Sequence, residues 1–259
     1  MKVLICEDHD AAIARAAGLI AAHIRAHPDA VLGLATGGTM LPLYRLLASE
    51  HRARLSFAGV TSFNLDEYVG LAPDHPASYH SYMCEALFAH VDIDPACTHL
   101  PRGDAPDPRK EAERYEALIA AAGGISLQLL GIGQNGHIGF NEPISSLASR
   151  TRVKTLTEST RSANRPYFGP GETPPEYAIT MGVGTILAAR ECLLLATGAA
   201  KAPAVAAMIE GPLSAACPAS ALQMHPHAVV VLDRKAAGDL RLTDYYQHVH
   251  PDGAPARFD

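Results

Sequence analysis

Leu129-Leu130-Gly131-Ile132-Gly133-Gln134-Asn135-Gly136-His137-Ile138-Gly139-Phe140-Asn141-Glu142-Pro143 begins as the end of an apolar run and becomes a glycine-rich loop. The run over 125–130 reads as a short buried strand. Glycines at its end let the chain turn sharply and let backbone approach a ligand closely. His137 and Glu142 then stand five residues apart among uncharged neighbours. Titratable groups on a tight loop after a buried strand suit an α/β sheet, which binds ligands beyond the carboxyl ends of its strands.

The same pattern recurs on either side. Residues 2–6 read as a strand, followed by an Ala-rich helix to about residue 26 with Ile13, Ala17, Ile20 and Ile24 at helical spacing. A strand over 31–35 runs into Thr36-Gly37-Gly38-Thr39 and a helix near 40–50. A strand over 59–63 leads to Asn64-Leu65-Asp66-Glu67-Tyr68. Helices near 78–90 and 108–122 flank a loop at 101–108. Strand-like segments follow at 153–157, 177–181, 191–196 and 228–232, with a helix over 199–210. Apolar strands alternating with helices predict a three-layer α/β/α, Rossmann-like fold around a mostly parallel sheet. Pro166 to Pro175 carry too many prolines and glycines for regular structure. The expected organisation is a single domain over 1–249 with a mobile lid around 158–180, and a flexible tail over 250–259.

Composition narrows the function classes. The 259 residues are 48% hydrophobic and 19% charged, enough for one large core. A net charge of -6 speaks against nucleic acid as the main partner, because phosphate neutralisation needs clustered Lys and Arg. No apolar stretch approaches the roughly 18–20 residues of a bilayer span, so no membrane partner is expected. Five scattered cysteines without a CxxC pair read as reduced thiols in the cytoplasm. No HExxH or Cys/His cluster at zinc spacing occurs, and no cofactor motif is present, so neither metal nor cofactor is expected.

Four motifs fall at strand ends. Thr36-Gly37-Gly38-Thr39 joins a strand to a helix and can aim backbone N–H groups at an anion, although it also fits a plain tight turn. It lacks the Lys-Ser/Thr of a P-loop and the spacing of a dinucleotide fingerprint. Thr197-Gly198-Ala199-Ala200-Lys201 places a lysine in a first helical turn, where it opposes the helix dipole unless an anion is bound. Asp66-Glu67 at a strand end can bind magnesium, act as a base or sit in solvent. Phe63, Leu65 and Tyr68 around it speak against full solvation, and a partly desolvated carboxylate has a raised pKa and can serve as a base. In the opening loop His137 can exchange protons near neutral pH, with Glu142 to orient it and Asn135 to hydrogen-bond. A base, a second acid/base pair and an anion cradle, with no nucleophile, fit proton transfer on a small phosphorylated substrate. Isomerisation, enolisation and lactone hydrolysis all remain open on these residues.

The motifs together resemble the glucosamine-6-phosphate deaminase (glucosamine/galactosamine-6-phosphate isomerase) family. Its superfamily includes 6-phosphogluconolactonases, ribose-5-phosphate isomerases and CoA transferases. The resemblance is carried by residues 32–39, 62–71, 75–79, 131–143, 149–155 and 181–185, in the family's order. Phe140-Asn141-Glu142-Pro143 separates it from the lactonases, which share the Gly-His part. The resemblance implies the sugar-phosphate isomerase/CoA-transferase-like fold and conversion of D-glucosamine 6-phosphate to D-fructose 6-phosphate and ammonia, without a metal. It implies that His137, with Glu142 and Asn135, opens the sugar ring, and that Asp66 moves the C2 proton to C1. Thr36, Gly37, Gly38, Thr39 and Lys201 would hold the phosphate.

Four departures are visible. Asn135 stands where many members have Asp, and Ala35 where proline is frequent. The phosphate arginine falls one place early, as Arg165. Arg152 and Lys154 match positions that bind the activator N-acetylglucosamine 6-phosphate in hexameric members, but Tyr245-Tyr246 lie in an altered context. An allosteric sugar phosphate and a homo-oligomer are therefore carried as possible partners. The competing readings are a lactonase or other sugar-phosphate isomerase, and a non-catalytic sugar-phosphate sensor, which would need a DNA-binding segment.

Overall fold

The structure is a computed structural model and describes residues 1–254. Its strands and helices, in chain order, are β1 (Lys2–Cys6), α1 (His9–Ala26), β2 (Val31–Leu34), α2 (Met40–Arg52), β3 (Thr61–Asn64), β4 (Asp66–Tyr68), α3 (Tyr79–Ala86), β5 (Thr98–His99) and α4 (Pro108–Ala121). They continue with β6 (Leu127–Leu130), β7 (Arg152–Thr155), α5 (Glu158–Asn164), β8 (Tyr177–Thr180), α6 (Val183–Leu187), β9 (Glu191–Ala196), α7 (Ala202–Ile209), β10 (Ala228–Asp233) and α8 (Thr243–Val249).

Local chemistry explains the boundaries. Asp8 caps α1 by accepting the Ala11 N–H at 2.8 Å, and the helix buries Ala12, Ile13, Ala16, Ala17, Ile20, Ala21 and Ile24 as one stripe. Asp107 caps α4 and Pro108 occupies its first turn, where a missing N–H costs nothing. β6, β9 and β10 are buried along almost their whole length, as strands covered on both faces must be.

The main sheet is entirely parallel, in the order β1-β10-β9-β6-β2-β3-β5. After β2 the chain runs outward through β3 and β5. After β6 it runs the other way, through β9 and β10. β2 and β6 are neighbours whose outgoing connections diverge, and divergence of this kind opens a crevice beyond their carboxyl ends. The loops at 35–39 and 131–143 leave from those two ends.

A second, antiparallel sheet β4-β8-β7 was not expected. Asp66 is therefore not the end of β3, which stops at Asn64, but the first residue of β4, paired with Thr180. Part of the segment expected as a lid belongs to this sheet. Ala178 to Thr180 are fully buried in β8, so the irregular region ends before them. The expected tail also divides. Pro251–Gly253 form a 3-10 turn with Gly253 buried against Cys6, while 255–259 lie outside the described residues. Among the described residues no helix is long and apolar enough to cross a membrane.

Candidate active site

A cavity of about 580 Å³ opens at the crevice and is walled by four separated stretches, with Leu65, Asp66 and Tyr79 completing the lining. The first is Ala35 to Met40. Two tyrosines hold its backbone: Tyr44 in α2 donates to the Ala35 carbonyl, and Tyr82 in α3 donates to the Gly37 carbonyl at 2.8 Å. Thr39 lines the cavity and makes no capping bond to α2.

The second stretch follows β9. Asp233, buried at the end of β10, accepts the Gly198 N–H at 3.0 Å on each oxygen and the Ala236 N–H at 2.7 Å, which fixes the turn. Lys201 reaches across to donate to the Ile132 carbonyl at 2.7 Å and lines the cavity. Burial lowers its pKa, and among the described residues no carboxylate pairs with its ammonium. A half-buried cation without a counter-ion favours a bound anion.

The third stretch is the 131–143 loop. Gly133 leaves room for the His137 ring: a Cβ there would stand 2.3–2.5 Å from three of its atoms. The imidazole lies over that glycine, half-buried, with Nδ1 3.7 Å from Glu142 Oε2. Asn135 ties the pair together. Its Nδ2 donates to Glu142 Oε2 at 2.9 Å, and its Oδ1 accepts the His137 N–H at 3.2 Å. Glu142 is 2% exposed and sits behind His137 rather than in the cavity wall. Burial pushes its carboxyl up, but the nearby His137 ring and the hydrogen bonds from Thr160 and Asn135 outweigh that and bring it to about 2. It is a fixed anion under all ordinary conditions.

Asp66 faces the cavity from β4 at 5% exposure. Burial first, and then the charge of Glu67, push its carboxyl up to about 8. Thr180 donates to its Oδ2 at 3.4 Å. Gly139 again provides room, because a Cβ there would stand 3.1 Å from that oxygen. Glu67 points the opposite way, as strand alternation requires. Its carboxylate accepts the N–H groups of Tyr68, Tyr79 and His80 at 2.9–3.0 Å and closes the N-terminus of α3. The acidic pair thus divides into a cavity group and a helix cap.

The raised carboxyls fix a pH dependence of stability. Asp66 titrates at about 8 and Glu67 at about 7 when folded, against 3.8 and 4.5 otherwise. The folded chain therefore holds more protons across that window, and its stability is lost as pH rises from about 4 to about 8. Asp66→Asn is expected to melt at the wild-type temperature near pH 4 and on the order of 5 °C higher at pH 9. Thermal scans at the two pH values check this, and equal melting temperatures at pH 9 would refute the buried-acid assignment.

The model of the glucosamine-6-phosphate isomerases/6-phosphogluconolactonase family matches residues 7–231. The chain belongs to this family. A glucosamine-6-phosphate deaminase from Shewanella loihica is 54% identical over 253 residues, covering 97% of this chain and 94% of the relative. One from Cellvibrio japonicus is also 54% identical, over 96% and 95% of the two chains. The solved structure of a monomeric glucosamine-6-phosphate deaminase superposes with a TM-score of 0.90 at 48% identity, over 92% of this chain and 100% of that one. A 6-phosphogluconolactonase from Trypanosoma cruzi, at 22% identity and a TM-score of 0.74 over 93% and 97%, shares the fold.

Within this family frame most of the expected residues converge. Thr36, Gly37, Gly38, Thr39, Asp66, Asn135, His137 and Lys201 line one cavity, with Glu142 directly behind. Arg165 does not join them: it lies exposed in the 3-10 turn after α5, outside the cavity wall. Arg152 on β7 donates to Asn141 Oδ1 at 2.6 Å, and Asn141 in turn donates to the carbonyls of Ile138 and Met181. The fourth stretch, Ser159, Thr160, Ala163 and Asn164 of α5, was missed, as were Tyr79 and Phe140. The Thr157-to-Thr160 spacing signals a helix start but reads as solvated surface.

Proposed function

We propose that this protein is a glucosamine-6-phosphate deaminase, converting D-glucosamine 6-phosphate and water to D-fructose 6-phosphate and ammonia. The observation that carries the reading is the union of Asp66 and the His137–Glu142 pair in one cavity with an unpaired lysine and a Thr-Gly-Gly-Thr turn. The phosphate binds to Thr36, Gly37, Gly38, Thr39 and Lys201. His137, held by Glu142 and Asn135, moves the proton between the ring oxygen and the C1 hydroxyl and opens the ring. Asp66 removes the C2 proton to give an enolamine and returns it at C1. The resulting C2 iminium is hydrolysed by water, and ammonia leaves.

A carboxyl of raised pKa suits the C2 step, because a more basic carboxylate is a better acceptor for a carbon-bound proton. The fixed anion at Glu142 suits the other step, because it stabilises the imidazolium that ring opening forms. Residues 158–176 act as the lid over the sugar, and the enzyme works in the reducing cytoplasm, where its five thiols stay free.

Incubation with millimolar glucosamine 6-phosphate, without added metal, is expected to release ammonia and fructose 6-phosphate in equal amounts. No ammonia would sink the reading. A parallel reaction with N-acetylglucosamine 6-phosphate tests activation through Arg152 and Lys154. A change in rate would add that effector to the reading, and an unchanged rate would remove it.

A further inference from the structure

The lid helix α5 reaches beyond the cavity it walls. The two oxygens of Glu142 have different partners. Oε2 takes the Asn135 carboxamide at 2.9 Å and faces His137 Nδ1 at 3.7 Å. Oε1 is held from the other side by the lid: the Thr160 hydroxyl donates to it, and the Thr157 hydroxyl lies 3.1 Å away. Thr157 is the N-cap of α5, and its hydroxyl accepts the Thr160 N–H at 3.3 Å, so the first turn of the helix and the carboxylate form one network. Thr160 is 6% exposed and lines the substrate cavity together with its neighbours Ser159, Ala163 and Asn164.

We propose that Thr160 is a positioning residue for the proton-transfer pair. Its hydroxyl fixes Glu142 so that the opposite oxygen faces His137, and seating α5 over the substrate also aligns the imidazole. This rests on the deaminase reading for its link to turnover, but its geometric content does not. The physical reason is the scarcity of donors: among the described residues, only the Thr157 hydroxyl reaches this oxygen besides Thr160, and it is also within 3.1 Å of the Ser159 and Thr160 hydroxyls. Glu142 Oε1 is buried away from water, and α5 supplies its hydroxyl donors. A carboxylate that loses the Thr160 donor keeps its burial with less compensation, and either rotates toward Asn135 or binds a proton more readily. In both cases His137 loses its orienting anion. Partners of this kind, one shell behind the reacting group, set ring orientation and tautomer. The β-branched side chain suits the task, because a stiff χ1 holds the hydroxyl in one direction.

The test compares Thr160→Val, which keeps the shape and removes the hydroxyl, with Thr160→Ser, which keeps the hydroxyl. Thr160→Val is expected to lower kcat about 10–100-fold, the usual size for a supporting partner of this type, with KM changed less than about 3-fold. Thr160→Ser is expected to restore kcat to within about 3-fold of wild type. The pH profile separates positioning from packing. The groups facing the Glu142 carboxylate are His137 and Asn135 from the loop and the two hydroxyls from α5. Without the Thr160 hydroxyl the acid limb of kcat moves to higher pH, because burial then raises Glu142 against fewer hydrogen bonds. Nitrogen chemical shifts of the His137 ring at pH 8 read the coupling without turnover. The wild type is expected to show the Nδ1–H tautomer facing Glu142, and Thr160→Val a mixture. Unchanged kcat and ring shifts in Thr160→Val would overturn the proposal, as would a Thr160→Ser variant as impaired as Thr160→Val. A wild type that releases no ammonia but shows the tautomer change would defeat the deaminase reading and leave the positioning role standing.

Discussion

Asp66→Asn is expected to slow turnover of glucosamine 6-phosphate by about 10³-fold while leaving KM within about 3-fold of wild type, the signature of a lost general base. The amide is nearly isosteric with the acid, so it keeps the place beside Gly139 and the approach of the Thr180 hydroxyl. It cannot accept the C2 proton. The wild-type carboxyl, pushed up to about 8 by burial and by the charge of Glu67, is more basic than an ordinary carboxylate by several orders of magnitude. That basicity is obtained at a cost in stability, because the ionised group is held out of water. The same substitution should therefore stabilise the fold above pH 8 and abolish its chemistry. Exchange of the C2 hydrogen in deuterated water isolates the proton-abstraction step from later release of ammonia. Exchange retained at the wild-type rate in Asp66→Asn would remove Asp66 from the base role.

What could be read from the chain alone follows from how each feature is encoded. The parallel core was readable because β2, β6 and β9 are apolar runs that each lead into a glycine-bearing turn, and the turns at 36–39 and 197–201 sit where β2 and β9 stop. The small antiparallel sheet was only partly readable: the strand-like segments at 153–157 and 177–181 are its β7 and β8, but Asp66 to Tyr68 are three residues with no hydrophobic period to reveal β4. The pairing partner of β4, β8, supplies the burial, and only the folded chain brings it there. The division of labour between Asp66 and Glu67 was hidden for a similar reason. Two adjacent acids look alike in a sequence, and strand alternation sends one to the cavity and the other to cap α3. The polar face of α5 reads as solvated surface until Glu142 is seen beneath it. Arg165 shows the reverse failure: the one-place shift is visible in the sequence, but only the fold shows that it leaves the side chain exposed and outside the cavity wall.

Gly133→Ala is expected to lower kcat/KM by about 10²-fold or more without replacing any group that exchanges a proton. Gly133 has no left-handed backbone requirement, so an alanine is permitted there by its own conformation. The conflict is with the imidazole: the three atoms nearest a new Cβ, at 2.3, 2.4 and 2.5 Å, all belong to the His137 ring. Real carbon atoms do not approach so closely, so the ring must swing off the glycine and away from Glu142 Oε2, which it already faces at 3.7 Å. Overpacking of this kind costs about 1–3 kcal/mol, which a thermal melt would register. If the damage passes through the ring alone, removing the ring removes it. The double variant Gly133→Ala/His137→Ala should then be no slower than His137→Ala and should melt above Gly133→Ala, a strongly non-additive result for two residues in contact. Additive losses in the double variant would instead place the effect of Gly133 in the path of the loop backbone, and His137 would no longer be the reason that glycine is there.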